Sequence, residues 1–357
     1  MTLQARWSQR LGDLKAQGLQ RQLAGLQPLG PTRARIGNQQ VHVFSSNDYL
    51  GLASHPELLS AWGEGGGAGS SRLIAGTRPA HLQLEAALCE KFGRPALVFN
   101  SGYQANLAVL TTLLDETVTV ASDRLNHASI IDGLRLSPAT VEIVGHGRVS
   151  DSVDLHVVEG LYSMDGDVLD LSIYSSGLLI VDEAHSVGCI GPNGRGAAAL
   201  QEVEPEVLVG TFGKAYGAAG AFVICSQEAK ELLVSVGRSF VYTTALADSA
   251  CRAALVGLRM ANADRRERLA ENTHRFRSGL DRLGLPTMGD AHIVPVVLGE
   301  ATMSVAKSLL NSGFFVPGIR FPTVEKGTER LRFSLSTEHS FEDIDAVLEA
   351  LERCCCS

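Results

Sequence analysis

VLVGTFGKAYGAAGAFVIC, residues Val207–Cys225, is the stretch whose reading decides the fold. Two apolar runs, Val207–Phe212 and Ala221–Cys225, flank a turn rich in Gly and Ala that carries a single cation, Lys214. A short run that is apolar throughout fits a strand covered on both faces. The preceding stretch LLIVDEAHSVG, Leu178–Gly188, repeats the pattern: Leu178–Val181 is apolar, and polar residues begin at Asp182. Further out, ALVF (Ala96–Phe99), VTVAS (Val118–Ser122), VEIV (Val141–Val144), LHVV (Leu155–Val158) and the alternating VHVFSS (Val41–Ser46) read as strands, with helical stretches between most of them. Strands alternating with helices imply an α/β domain with a mainly parallel sheet. Such sheets bind ligands at the carboxyl ends of their strands. The polar clusters fall at those ends.

With 357 residues, 45% of them hydrophobic, the chain is long enough for one large core and a smaller second one. We expect an N-terminal helical arm over 1–40, a large domain over 41–249 and an α+β domain over 250–357. The arm carries Leu3, Trp7, Leu11, Leu14, Leu19 and Leu23 at helical spacing until Pro28, Gly30 and Pro31 break it. The last domain is expected to open on one long charged helix, Ala250–Leu283, and to close on another, Phe341–Glu352. Net charge is −8 with no Lys/Arg block, which argues against a nucleic-acid partner. No stretch reaches the ~20 apolar residues of a membrane span, and the charged N-terminus is not a signal peptide. Of the seven Cys, Cys89, Cys189, Cys225 and Cys251 show no metal-ligand spacing. They imply reduced thiols and a cytoplasmic setting. The triplet Cys354–Cys356 reads as a functionless tail rather than a soft-metal site.

Four local features carry chemistry. Asp182 ends a buried strand, where a carboxylate must be paired; it reads as a loop ion pair or as the anion that keeps a pyridinium nitrogen protonated. His185 follows three residues on. Lys214 alone reads as a solvated turn residue, yet its small apolar neighbours would desolvate its amine, as a Schiff-base lysine requires. Thr211 offers a phosphate a hydroxyl, and Ser101–Gly102–Tyr103 opens a helix whose free N–H groups suit the same anion. His127 follows another strand and reads as a structural ring or as one that stacks on a cofactor. The turn is not a Walker loop, because Ala215 follows the lysine.

Eight ordered motifs then give a resemblance across essentially the whole chain: SSNDYLGL (Ser45–Leu52), SGYQAN (Ser101–Asn106), DRLNHASI (Asp123–Ile130), EGLYSMDGD (Glu159–Asp167), VDEAHSVG (Val181–Gly188), GRG (Gly194–Gly196), TFGKA (Thr211–Ala215) and IRFPTVEKGTERLR (Ile319–Arg332). Together they resemble the α-oxoamine synthases, fold-type I pyridoxal-phosphate transferases of the aspartate-aminotransferase type. These enzymes join an amino acid to an acyl thioester with loss of carbon dioxide. The resemblance implies a homodimer and pyridoxal 5'-phosphate. Its nearest branch condenses L-alanine with pimeloyl-CoA, or the pimeloyl carrier-protein thioester, in biotin biosynthesis. It implies that Lys214 holds the cofactor and moves protons, that Asp182 pairs with the ring nitrogen, and that His185 bonds the phenolic oxygen while His127 stacks on the ring. Gly102, Tyr103, Thr211 and Thr244 (the last from a second copy) would bind phosphate. Ser163 would lie near the cofactor, with Glu159 and Asn47 in support. Arg320 is implied to bind the amino-acid carboxylate, with Thr323 and Arg21 as further substrate contacts.

The chain is shorter than typical members of that family. GEGGGAG (63–69) replaces a longer link, HGRVSDSVDLHVVEG (146–160) compresses a helix, and DVLDLSIYSSGLLIVDEAH (167–185) lacks most of another. The motifs are spared, so a trimmed enzyme is expected. A sibling that uses glycine or serine, and a non-catalytic partner subunit, are the alternatives.

Overall fold

The structure is a computed structural model that describes residues 1–21, 23–63, 66–174 and 177–355. Its strands in chain order are β1 (Leu26–Gly30), β2 (Arg33–Ile36), β3 (Gln39–Val43), β4 (Ala96–Phe99), β5 (Thr119–Asp123), β6 (Thr140–Val144), β7 (Leu155–Glu159), β8 (Leu178–Asp182), β9 (Val207–Thr211), β10 (Ala221–Ile224), β11 (Ile293–Val297), β12 (Phe314–Phe315), β13 (Gly318–Ile319) and β14 (Arg330–Ser334). The large sheet has the order β4-β10-β9-β8-β7-β5-β6. Strands β5 to β9 pair in parallel, and β10 runs antiparallel to both β9 and β4.

Every residue of β7 and β9 is buried, as their largely apolar runs predict. Because side chains alternate along a strand, Val157, Ile180, Val209 and Val223 pack into one core with the helix Gly102–Thr112. Their neighbours Leu208 and Phe222 face a second core on the opposite side. That second core runs on into the C-terminal part: Phe276 packs on Phe333 at 4.8 Å and on Phe44 at 6.5 Å. There β11, β14 and β13 form a small antiparallel sheet under the helices Ala263–Arg282 and Phe341–Cys355.

Two expectations need correction. Among the described residues of the first 40, only Leu3–Ala16 is helical; β1, β2 and the start of β3 follow, and β12 joins their sheet alongside β3. Pro28 and Gly30, which break the helical pattern, lie within β1, with a register shift between them. The long helix Ala250–Leu283 is instead two helices, Asp248–Met260 and Ala263–Arg282. Asn262 separates them, its side chain accepting the N–H of Arg265 as an N-cap. Of the trimmed segments, Glu64, Gly65, Ser175 and Ser176 lie outside the described residues, as does Cys356. No helix among the described residues is long and apolar enough to cross a membrane.

Candidate active site

The carboxyl ends of β5, β7, β8 and β9 open on a cavity of about 190 Å³. Gly102, Tyr103, His127, Glu159, Asp182, His185, Thr211 and Lys214 all line it, together with Asn106, Ser129 and Ala184. One tertiary feature thus gathers eight residues that the sequence spreads over more than a hundred positions.

Parallel register sets Asp182 beside Glu159 at the ends of adjacent strands. Asp182 Oδ2 accepts from Asn106 Nδ2 at 2.7 Å, and Oδ1 accepts from the Ala184 N–H at 2.9 Å. Hydrogen bonds to a buried carboxylate are the strong kind, and they fix its orientation. Glu159 is different: burial, and then the charge of Asp182, push its pKa well above the usual carboxylate range. A like charge beside a buried carboxyl disfavours its ionised form.

The Lys214 amine is pulled down to about 8, because burial outweighs the attraction of Asp182 and Glu159. At neutral pH roughly a tenth of it is then free amine, against less than about a thousandth for an ordinary lysine. Burial, and then the charges of Lys214 and Arg332, hold the His185 imidazole well below its usual pKa. Its Nδ1 lies 2.7 Å from the Tyr49 hydroxyl. His127 starts the helix Ala128–Leu136, where Nδ1 accepts the Ser129 N–H at 3.2 Å, and burial lowers its pKa too.

Gly102 and Tyr103 sit in the first turn of their helix, where backbone N–H groups have no intrahelical acceptor. A Cβ built on Gly102 would meet nothing within 4 Å, so that turn faces open space. Thr211 is less free: its hydroxyl donates to the Gly220 carbonyl at 2.9 Å and accepts the Gly213 N–H at 3.1 Å. A desolvated amine, an oriented carboxylate, a ring and a helix N-terminus around one small cavity fit pyridoxal phosphate. Lys214 would hold its aldehyde, Asp182 its ring nitrogen, and Gly102 with Tyr103 its phosphate.

The other expected residues lie outside this cavity. Ser163 and Thr323 line a neighbouring cavity of about 380 Å³. Arg21 reaches the Thr323 hydroxyl at 3.4 Å, and Arg320 comes near Gly18 of the N-terminal segment. Thr244 is exposed, its carbonyl accepting from Asn100 Nδ2 at 2.7 Å.

Arg332, which sequence reasoning passed over, is 6% exposed. Among the described residues its guanidinium bonds only neutral groups: Nε donates to the Ser163 carbonyl at 2.6 Å, and the outer nitrogens to Asn47 Oδ1 at 3.4 Å and Ser334 Oγ at 3.0 Å. Its charge also lowers Lys214 and His185. Among the described residues no carboxylate pairs with this buried cation, which leaves its charge open to an anionic ligand. Asn106, likewise missed, had a legible signal: it lies one helical turn past Gly102, on the same face.

Known proteins add the following. The family model for aminotransferase class I and II matches residues 39–351. A curated relative, the 8-amino-7-oxononanoate synthase of Halorhodospira halophila, is 42% identical over 98% of this chain and 94% of its own. The solved 8-amino-7-oxononanoate synthase of Francisella tularensis superposes with a TM-score of 0.77 at 30% identity, over 88% of this chain and 97% of its own. A serine palmitoyltransferase solved with its pyridoxal phosphate gives 0.90 at 29% identity, over 99% and 98%.

Proposed function

The chain belongs to the aminotransferase class I and II family, in its α-oxoamine synthase branch, and on that premise we propose that it condenses L-alanine with a pimeloyl thioester. The products are 8-amino-7-oxononanoate, the free thiol and carbon dioxide, a step of biotin biosynthesis. The observation that carries this reading is the convergence of Lys214, Asp182, His127 and His185 on one cavity in a chain 42% identical to such a synthase.

When bound, pyridoxal phosphate supplies an aldehyde for a primary amine and a protonated ring that takes up the electron pair left at the amino acid's α-carbon. The chain does the rest. Asp182 holds the ring nitrogen protonated, its own position fixed by Asn106 and Ala184. Lys214 Nζ, with its lowered pKa, takes the α-proton and returns one after carbon dioxide leaves. His185, anchored by Tyr49, would meet the phenolic oxygen, and His127, on the same cavity wall, would cover one ring face. Arg332 receives the alanine carboxylate, the place that the sequence assigned to Arg320.

We infer a cytoplasmic homodimer. The helix Leu3–Ala16 buries none of its residues, and Ile74 and Tyr242 are 81% and 76% exposed, which supports a second copy over these surfaces. Thr244 would then reach the phosphate of the neighbouring site. A serine-using sibling is the second reading, favoured by the TM-score of 0.90 and ranked below by 29% identity. The test incubates the enzyme with alanine, glycine or serine against pimeloyl-CoA, the pimeloyl carrier-protein thioester, acetyl-CoA and palmitoyl-CoA. Product from alanine and a pimeloyl thioester is expected; turnover with glycine or serine alone overturns the assignment.

A further inference from the structure

The ring of His146 lies between two carboxylates, with Nδ1 3.0 Å from Asp123 Oδ2 and Nε2 2.9 Å from Asp167 Oδ2. A neutral imidazole has one N–H and can satisfy one such acceptor. With carboxylates on both nitrogens, the ring must carry both protons. Asp123 has no exposed side-chain surface and behaves as an acceptor throughout, taking the Leu125 N–H at 2.8 Å and the Gly147 N–H at 2.9 Å. The third titratable group touching the ring is Tyr162, edge-on at 4.5 Å, a phenol kept neutral by burial.

These contacts join the two loops that build one wall of the cavity. Asp123 ends β5, four residues before His127. Asp167 closes the turn that begins at Glu159, the end of β7. Tyr162 bridges them: its hydroxyl accepts the Glu159 N–H at 3.3 Å and donates to Asn126 Oδ1 at 3.4 Å. Asn126, next to His127, donates in turn to the Val157 carbonyl at 2.7 Å. His146 belongs to the segment in which the chain is compressed; no helix lies between β6 and β7.

We propose that His146 is a positioning residue: as an imidazolium it fastens Asp123 to Asp167 and so fixes the loops that present His127 and Glu159 to the cofactor. The proposal rests on the cavity being the pyridoxal-phosphate site. The hydrogen bonds to Asp123 and then Asp167 push the His146 pKa up to about 10, so the clamp stays charged across the working range and opens as pH rises through that value.

Two measurements on the cofactor-loaded enzyme test it. Ring ¹⁵N resonances of His146, assigned by their loss in His146→Gln, should show both nitrogens protonated at about pH 8.5. A neutral ring there overturns the clamp, whatever the cavity binds. His146→Gln removes the charge, and His146→Lys restores one. We expect His146→Gln to weaken the visible circular dichroism of the bound cofactor and to lower kcat roughly tenfold with little change in the alanine KM, and His146→Lys to recover most of both. Wild-type values in His146→Gln, or equal impairment in His146→Lys, reject a role for the charge. Failure of the wild type to bind the cofactor would sink the reading of the cavity, while the resonances still decide the clamp.

Discussion

At Lys214 a turn residue becomes a nucleophile mainly through burial, with the charge of Arg332 acting in the same direction. Its neutral form grows with pH through about 8, so cofactor-free enzyme should take up the aldehyde faster as pH rises to that point and then level off. Stopped-flow absorbance reads this directly; a rate still climbing at about pH 10 would show an ordinary lysine. Arg332 gives a second prediction. Arg332→Lys keeps the charge and loses the forked geometry, and should raise the alanine KM about 10- to 100-fold, by analogy with a lost charge-assisted hydrogen bond of ~1.5–3 kcal/mol. Arg320→Ala should change it little. Steady-state kinetics that reverse this order would restore Arg320. Asp182 was legible because it stands directly after an apolar run, and Lys214, His185 and His127 because each follows such a run within a few residues. Arg332 was not: it lies inside β14, and only the packing of β14 against Ser163 and Asn47 brings it to the site.

Elements were legible wherever burial is two-sided. β7, β8 and β9 are largely apolar because both faces are covered, and one sequence pattern suffices for them. The break at Asn262 was illegible, since a capping side chain in a charged stretch looks like any surface residue. The hairpin β1–β2 was hidden for a different reason: its burial comes late, from pairing with β3 and through it β12. Glu183 shows how an element is held. Fully buried, it accepts the N–H groups of Ala197 and Ala198 at 2.9 and 2.7 Å, tying the helix Ala197–Leu200 to the end of β8. Gly160 and Gly196 are glycines because a Cβ on either would run into this carboxylate. Glu183→Ala leaves two buried donors unpaired and should destabilise by about 2–4 kcal/mol; Glu183→Gln, which keeps one acceptor, should cost less. Urea unfolding monitored by fluorescence checks it, and equal midpoints for wild type and Glu183→Ala would show that water replaces the carboxylate.

Over the whole molecule, the trimmed segments leave the large sheet and the cavity intact. The division into 41–249 and 250–357 stands as a proposal, with β3 pairing across it to β12. Assembly is the larger question, because Ile74 and Tyr242 remain 81% and 76% exposed, even with the Arg238 guanidinium over the Tyr242 ring. Sedimentation should give twice the chain mass, and Ile74→Asp with Tyr242→Asp should shift it toward one copy and weaken activity. A fully active single copy would remove Thr244 from the site.

The central claim, that Lys214 carries the cofactor, has one direct test. The enzyme loaded with pyridoxal phosphate is reduced with borohydride, digested, and its peptides weighed. The account predicts that the phosphopyridoxyl group is found on Lys214 and that Lys214→Ala carries none. A modified lysine elsewhere, or no reducible link in the wild type, would contradict it.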